Sequence, residues 1–533
     1  MNSKINNYLL IGILALGLFL RIQGIDFGLP FVYDEDESRR VDQAFQMLLN
    51  RDPNPRWFGH PASTLIYLLA ANQLLMFWGG ELLGFFSSFS DFQDLYYNNP
   101  TLFYLMGRIW LIVFGTATIW ITYLIGKELE NKNIGLIAAF LVAINTLQIK
   151  YAKIIRSDIL MTFFLLLAFF YCLKILDDKN TKNYILTGAF LGLAIVTKYP
   201  AVIFVFTLIL GHFISNEWSG NNFKKLGYSA ISCLLACFLA APFLFINAGV
   251  ALQDISGEAR SSNVGANAEG FISNLFWYWH NPLAYALTHF GLAVILIGLV
   301  FCIIYRDKKQ ILLVTFLITF YLFIASGSLR WDRWVIPLLP FACLLIASTL
   351  NKVSQLLPLK LGFLVVVICL GLILRPTMYA NYVEIQELLG DDTRTITREW
   401  ILENIPPGSS ILVDEGTPPL PADLFQLYEV NNQTLTLIHP EDSRHVFVGV
   451  EIKPIGKLEK IEEVEEQNIQ YVILSWKYRQ YLDERDRYPE IVATYEQIIS
   501  SATLIHKMER NRERNITSGP KIKVYQLPGI SRI

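Results

Sequence analysis

The apolar run from Tyr8 to Leu20 ends at Arg21, and shortly afterwards the chain reads Pro30-Phe31-Val32-Tyr33-Asp34-Glu35-Asp36-Glu37-Ser38-Arg39-Arg40. A run too apolar for water, followed at once by four acids and two arginines, predicts a membrane helix that surfaces into a charged loop. The run follows Lys4 and lacks a small-x-small cleavage site, so an uncleaved first span is expected rather than a signal peptide. Ionisable groups near membrane depth are costly to place, which makes this junction a functional suspect from the start.

Working outward, further apolar runs of span length or slightly less lie at about 102–126, 134–150, 157–176, 184–197, 201–215, 226–246, 285–305, 311–327, 335–350 and 361–375. Lys127 and Lys132, Lys179 and Lys182, Lys224 and Lys225, Arg306 with Lys308 and Lys309, and Lys352 with Lys360 mark alternate loops as cytoplasmic. The loop at 87–101 has neither Lys nor Arg and reads as outside, as does 25–61. The apolar segment 62–86 between them is therefore expected to be interfacial or re-entrant. That predicts about 11 transmembrane helices, or 13 if the segment crosses twice.

The whole chain is 53% hydrophobic and only 17% charged, below the roughly 25% of a soluble domain. Of its 90 charged side chains, 40 fall in residues 391–533, so the last quarter has the composition of a water-exposed domain. The expected organisation is an all-α polytopic membrane bundle over 1–376 and a soluble domain over 377–533. In the latter, apolar strands such as Ser410–Val413, Gln470–Leu474 and Ile522–Tyr525 alternate with helical stretches, which predicts an α/β or α+β domain. All six cysteines, from Cys172 to Cys369, sit in apolar runs and read as small hydrophobes. A net charge of −2 with no basic stripe excludes a nucleic-acid partner.

The charges collect in loops expected on one face. Beside the 34–40 run stand Trp57-Phe58-Gly59-His60-Pro61, the group Lys153, Arg156 and Asp158, and Thr197-Lys198-Tyr199-Pro200. Farther along come Trp277-Tyr278-Trp279-His280 and Arg330-Trp331-Asp332-Arg333-Trp334. Each has a bland reading: a solvated loop, a helix cap at Asp158, a snorkelling Lys198, an interfacial aromatic belt. Their gathering on one side favours chemistry, because a phosphate-bearing amphiphile needs fixed cations and a hydroxyl acceptor needs a carboxylate base.

This ordered set resembles the GT-C glycosyltransferases, specifically the protein O-mannosyltransferase and aminoarabinose-transferase-like group. Asp36-Glu37 after Leu29-Pro30-Phe31 resembles the family's Asp-Glu pair, with Asp34-Glu35 as an alternative register. His60-Pro61 resembles its His-Pro element, although Ala62 stands where a second proline is usual. Tyr151 to Asp158 resembles the second acidic motif, Gly192-Leu193-Ala194 to Lys198-Tyr199 the Gly-Leu-Ala…Thr-Lys segment, and Arg333 to Pro340 the Arg-Tyr…Leu-Pro-x-x-Pro segment.

The resemblance implies an inverting transferase that moves a sugar from a polyprenyl-phosphate carrier to a glycan, lipid or protein acceptor on the non-cytoplasmic face. The implied setting is a bacterial-type inner membrane, with the C-terminal domain on its outer side. It implies Asp36 as base with Glu37 and Asp158 as orienting carboxylates. Lys198, Arg333, Arg39, Arg40 and Arg330 would bind the donor phosphate, and His60, Trp277, Tyr278 and His280 would contact acceptor or sugar. No obligatory cofactor is expected; a divalent metal ion, if used, would draw on Asp36, Glu37, Asp158 and His60. The alternatives are a polytopic transporter, which should show internal repeats, and a glycan-binding membrane protein without transferase activity.

Overall fold

A computed structural model describes residues 3–59, 62–178, 180–215, 220–258, 260–438 and 452–528. The first helix, α1 (Ser3–Ile22), is followed by α2 (Glu35–Leu49), α3 (Ser63–Leu82), α4 (Phe89–Asn98), α5 (Thr101–Leu129) and α6 (Lys132–Ala143). The short α7 (Thr146–Tyr151) leads to α8 (Ser157–Asp177), α9 (Thr181–Thr197), α10 (Phe204–Ser215), α11 (Gly220–Ala240), α12 (Pro242–Ile246) and α13 (Ala248–Gly257). The bundle is completed by α14 (Phe271–Tyr278), α15 (Ala284–Tyr305), α16 (Lys308–Ala325), α17 (Leu338–Gln355) and α18 (Leu359–Leu389). Among the described residues nine helices are long and apolar enough to cross a membrane, and the chain is an integral membrane protein. Shorter apolar helices at 132–143 and 199–215 pack among them.

Burial sorts these helices. α5, α8 and α17 are mostly enclosed, whereas α1, α11 and α18 present most of their apolar surface outward, as a lipid-facing helix must. Small residues allow the closest approaches. A Cβ on Gly126 would lie 2.6 Å from the Cα of Gly135, which fixes the α5–α6 hairpin. A Cβ on Gly188 or Gly192 would collide with the carbonyls of Ser229 and Cys233, so α9 and α11 touch backbone to backbone.

Two expectations are corrected. The run at 134–150 is broken rather than one span. Asn145 ends it by accepting from the Gln148 amide (3.1 Å) while donating to the Ala286 carbonyl (2.9 Å), which starts a new helix at Thr146. The bundle does not end at 376 either: α18 continues through Pro376 to Leu389, about 46 Å at 1.5 Å per residue, and the first strand begins at Asp391. The segment 62–86, expected to be interfacial or re-entrant with a double crossing as the alternative, folds without a tight hairpin. α3 is one continuous helix lying along α2, with Gln73 donating to the Val41 carbonyl (3.2 Å). Thr64 at its start bonds Thr197 (2.6 Å), and Phe77 near its end meets Phe89 of α4, whose Tyr96 stacks on Phe45 of α2.

Beyond α18, a mixed sheet has the order β4-β3-β2-β5-β8-β6. Its strands are β2 (Ser410–Val413), β3 (Gln426–Asn431), β4 (Thr434–Leu437), β5 (Tyr471–Leu474), β6 (Thr503–Met508) and β8 (Ile522–Gln526), and β2 is parallel to both β3 and β5. A separate pair joins β1 (Asp391–Asp392) to β7 (Ile516–Ser518). One face packs on Ile401 and Ile405 from α19 (Thr393–Asn404) and the loop after it. The other packs on Tyr481, Val492, Tyr495 and Ile498, from helices α21 (Trp476–Asp483) and α22 (Pro489–Ile499), which follow the short α20 (Glu462–Glu466). The domain is therefore α/β, with helices on both faces.

Candidate active site

At the end of the bundle that carries the α/β domain, Asp34 opens α2. Its carboxylate accepts from the amides of Asp36 (3.1 Å) and Glu37 (3.3 Å) and thereby caps the helix. The Arg156 guanidinium grips both Asp34 oxygens (3.2 and 3.1 Å) and also pairs with Asp36. Two more arginines reach the same Asp36 carboxylate: Arg333 at 3.9 Å and Arg40, one helical turn on, at 3.9 Å. Burial pulls the Arg40 guanidinium below its ordinary pKa, against the attraction of Asp36.

Next to this knot, Lys198 at the end of α9 lies 2.5 Å from Asp158 in the first turn of α8. Asp158 is within electrostatic range of Arg333 and Arg156, and Lys198 within range of Arg333 and Arg40. Asp36, Asp158, Lys198, Arg333 and Arg40 thus form one cluster, drawn from α2, α8, α9 and the turn before α17. Arg156 belongs to it as well. The sequence placed Arg156 in the right loop without assigning it a role; a cation one residue before a helix start that opens Ser-Asp was the available signal.

Other expected residues stand elsewhere. Glu37 is not open to a substrate. It is fully buried against Arg108 of α5 (2.6 and 3.0 Å) and accepts from the Ile155 amide (2.8 Å). Arg108 also donates to the carbonyls of Ile25 (2.6 Å) and Phe27 (2.9 Å), so this pair pins the first loop and the start of α2 to the bundle. Truncating one partner of such a pair costs about 3–5 kcal/mol, because the other charge is left buried alone. Arg108 escaped the sequence reading because it lies inside an apolar run, although a lone arginine in such a run is itself a signal. Arg39 packs over Trp57 (5.1 Å), and Arg330 over Trp277 (5.1 Å). His60 lies outside the described residues.

A cavity of about 480 Å³ adjoins the cluster, lined in part by Lys150, Trp277, His280, Tyr285, His289 and Asp332. Its wall is shaped by a widened π-type turn, Trp279–Leu283, which splits α14 from α15 and swings His280 outward. Asp332 accepts from the Tyr151 hydroxyl (2.6 Å) and directly precedes Arg333, so the cavity is one residue from the cations around Asp36. Trp277 and His280 stand in this wall. Tyr278 does not: it is fully buried, edge-on to Trp277. Lys150 and His289 were missed, since each lies inside a run read as a membrane span, 134–150 and 285–305.

For a divalent ion the fit is poor. Among the described residues no three His, Cys, Asp or Glu side chains converge. Of the expected ligands, Glu37 is held by Arg108, Asp158 by Lys198 and Asp36 by arginines.

Residues 105–246 match the family model for dolichyl-phosphate-mannose-protein mannosyltransferases. No curated protein matches the chain by sequence. Among solved structures, the fold is similar to ArnT from Cupriavidus metallidurans bound to undecaprenyl phosphate, with a TM-score of 0.53, 11% identity and 98% of each chain covered. The apo state of that protein gives 0.53 at 10% identity, again over 98% of each chain. The apo oligosaccharyltransferase of Archaeoglobus fulgidus gives 0.51 at 12% identity, over 90% of this chain and 71% of that one. The chain therefore shares the fold of these two proteins, and its segment 105–246 matches the family model.

Proposed function

We propose that the chain is an inverting glycosyltransferase that moves a sugar from a polyprenyl-phosphate carrier to an acceptor hydroxyl. The observation that carries this reading is the ring of Arg156, Arg333 and Arg40 around Asp36, beside the Lys198–Asp158 pair and the cavity. Guanidinium groups are suited to phosphate oxygens, and this ring is already desolvated. In the resting protein the arginines are spent on carboxylates. A donor phosphate would draw Arg333, Arg40 and Lys198 toward itself and leave Asp36 free to accept the acceptor proton. The hydroxyl oxygen then forms its bond to the anomeric carbon from the face opposite the phosphate. The bond from that carbon to the phosphate oxygen breaks, and the leaving charge stays on the carrier phosphate under the cations.

The acceptor would enter through the cavity, where Trp277 offers a stacking surface and His280 a hydrogen-bonding group. The expected setting is the outer leaflet of a bacterial-type inner membrane. Purified protein offered a panel of undecaprenyl-phosphate-linked sugars is expected to release undecaprenyl phosphate from one of them. A mass comparison of envelope glycans and glycolipids with and without the gene then identifies the acceptor. No release from any donor, together with unchanged spectra, would sink the proposal.

A further inference from the structure

The loop that delivers Asp36 is held from above by the α/β domain. Asp392 caps α19 by accepting from the Arg394 amide (2.8 Å), and its carboxylate holds the Arg394 guanidinium through two further bonds (2.9 and 2.8 Å). So fixed, Arg394 donates to the Tyr33 carbonyl (3.2 Å) and lies 3.8 Å over the Tyr33 ring. The Tyr33 hydroxyl meets the Thr395 hydroxyl (2.7 Å), and Arg398 covers Phe31 (4.9 Å). Between these two aromatic residues, Val32 has a φ of +51°, a left-handed conformation that a β-branched residue adopts only under constraint. The residue after Tyr33 is Asp34, whose carboxylate orders the Asp36 amide and is gripped by Arg156.

We infer that α19 is a positioning element for Asp36, with Arg394 and Thr395 as its positioning residues, so that the α/β domain sets the geometry of the proposed base. This rests on the transferase reading only for the role of Asp36; the clamp itself is a statement about the loop. Two variants of the full-length protein test it, Arg394→Ala and the near-isosteric Thr395→Val. Arg479→Ala, an exposed change on the same domain, serves as control.

The first readout is hydrogen exchange over residues 30–40, with continued protection of the central sheet showing that the domain is folded. Exchange at the Asp36 and Glu37 amides is expected to rise in both variants and not in the control. The second readout is turnover of the undecaprenyl-phosphate-linked sugar that the wild-type chain consumes. In Arg394→Ala, kcat is expected to fall by up to about 10²-fold with donor KM unchanged, as for a base displaced by an ångström. Arg394→Lys, which keeps the charge over the ring, should recover part of the loss.

Unaltered exchange over 30–40 with the sheet intact overturns the clamp. Raised exchange with unchanged kcat overturns its role in positioning. If the wild-type chain consumes no such donor, the transferase reading falls while the exchange readout still decides the clamp.

Discussion

At the scale of single residues, Asp36 and Lys198 should fail differently. Asp36→Asn keeps shape and hydrogen bonding but cannot take a proton, so turnover should fall by about 10²–10⁴-fold while donor affinity persists. Lys198→Ala removes a cation and should weaken donor binding first, which steady-state kinetics and a separate carrier-binding titration would tell apart. Asp414, at the end of β2, offers a test in the α/β domain. Buried and bonded to the Tyr495 hydroxyl (2.8 Å) and the Ile455 amide (3.0 Å), its carboxyl is pushed up to about 7, chiefly by burial. The unfolded chain releases that proton near 3.8, so between the two values the folded state holds more protons and stability falls as pH rises from about 4 to 7. The loss should reach roughly 4 kcal/mol at 1.36 kcal/mol per unit and vanish in Asp414→Asn. Thermal unfolding of the full chain, followed by exchange in the central sheet, checks it.

At the scale of elements, most helices were legible because a run of some twenty apolar residues has few alternatives, and the charged loop after α1 was legible because acids are dear at that depth. What stayed hidden was set by partners distant in sequence. Asn145 breaks its run through the carbonyl of Ala286, and Glu37 turns inward because Arg108 waits there. A residue's neighbour across the bundle is not written in its own segment. The glycines of α9 show the same limit: Gly192 stands in a recognisable motif, yet its reason is the Cys233 carbonyl of α11. Gly192→Val should therefore cost about 1–3 kcal/mol of stability by overpacking. Because α9 ends at Lys198, the same change should also weaken donor affinity, whereas Gly227→Val, whose Cβ would meet open space, should do neither.

At the scale of the molecule, the site exists only if the loops carrying Asp36, Asp158, Lys198 and Arg333 share one side, and their contacts show that they do. The lysine-bearing loops predict which side that is. A single cysteine replacing Ser90 should be labelled by an impermeant reagent from outside the cell, and one replacing Lys182 only after the membrane is opened. The opposite pattern would turn the site toward the cytoplasm. The soluble domain was legible as a composition, but its boundary was not, since a helix leaving the membrane keeps its hydrogen bonds and gives no signal at the point of exit.

That uninterrupted exit has a mechanical consequence. α18 exceeds the roughly 30 Å of a bilayer core by about half again, so it works as a strut whose foot is set by the lipid and whose head carries α19. The strut and the Arg394–Tyr33 contact close a loop of rigid parts, in which a change in foot height must appear as tension at the first-loop aromatics. Hydrophobic mismatch costs only fractions of a kcal/mol per ångström, yet it would be focused on one strained residue, Val32. Turnover in vesicles of graded acyl-chain length should then pass through an optimum, and Arg394→Ala, with the linkage cut, should lose that dependence on thickness.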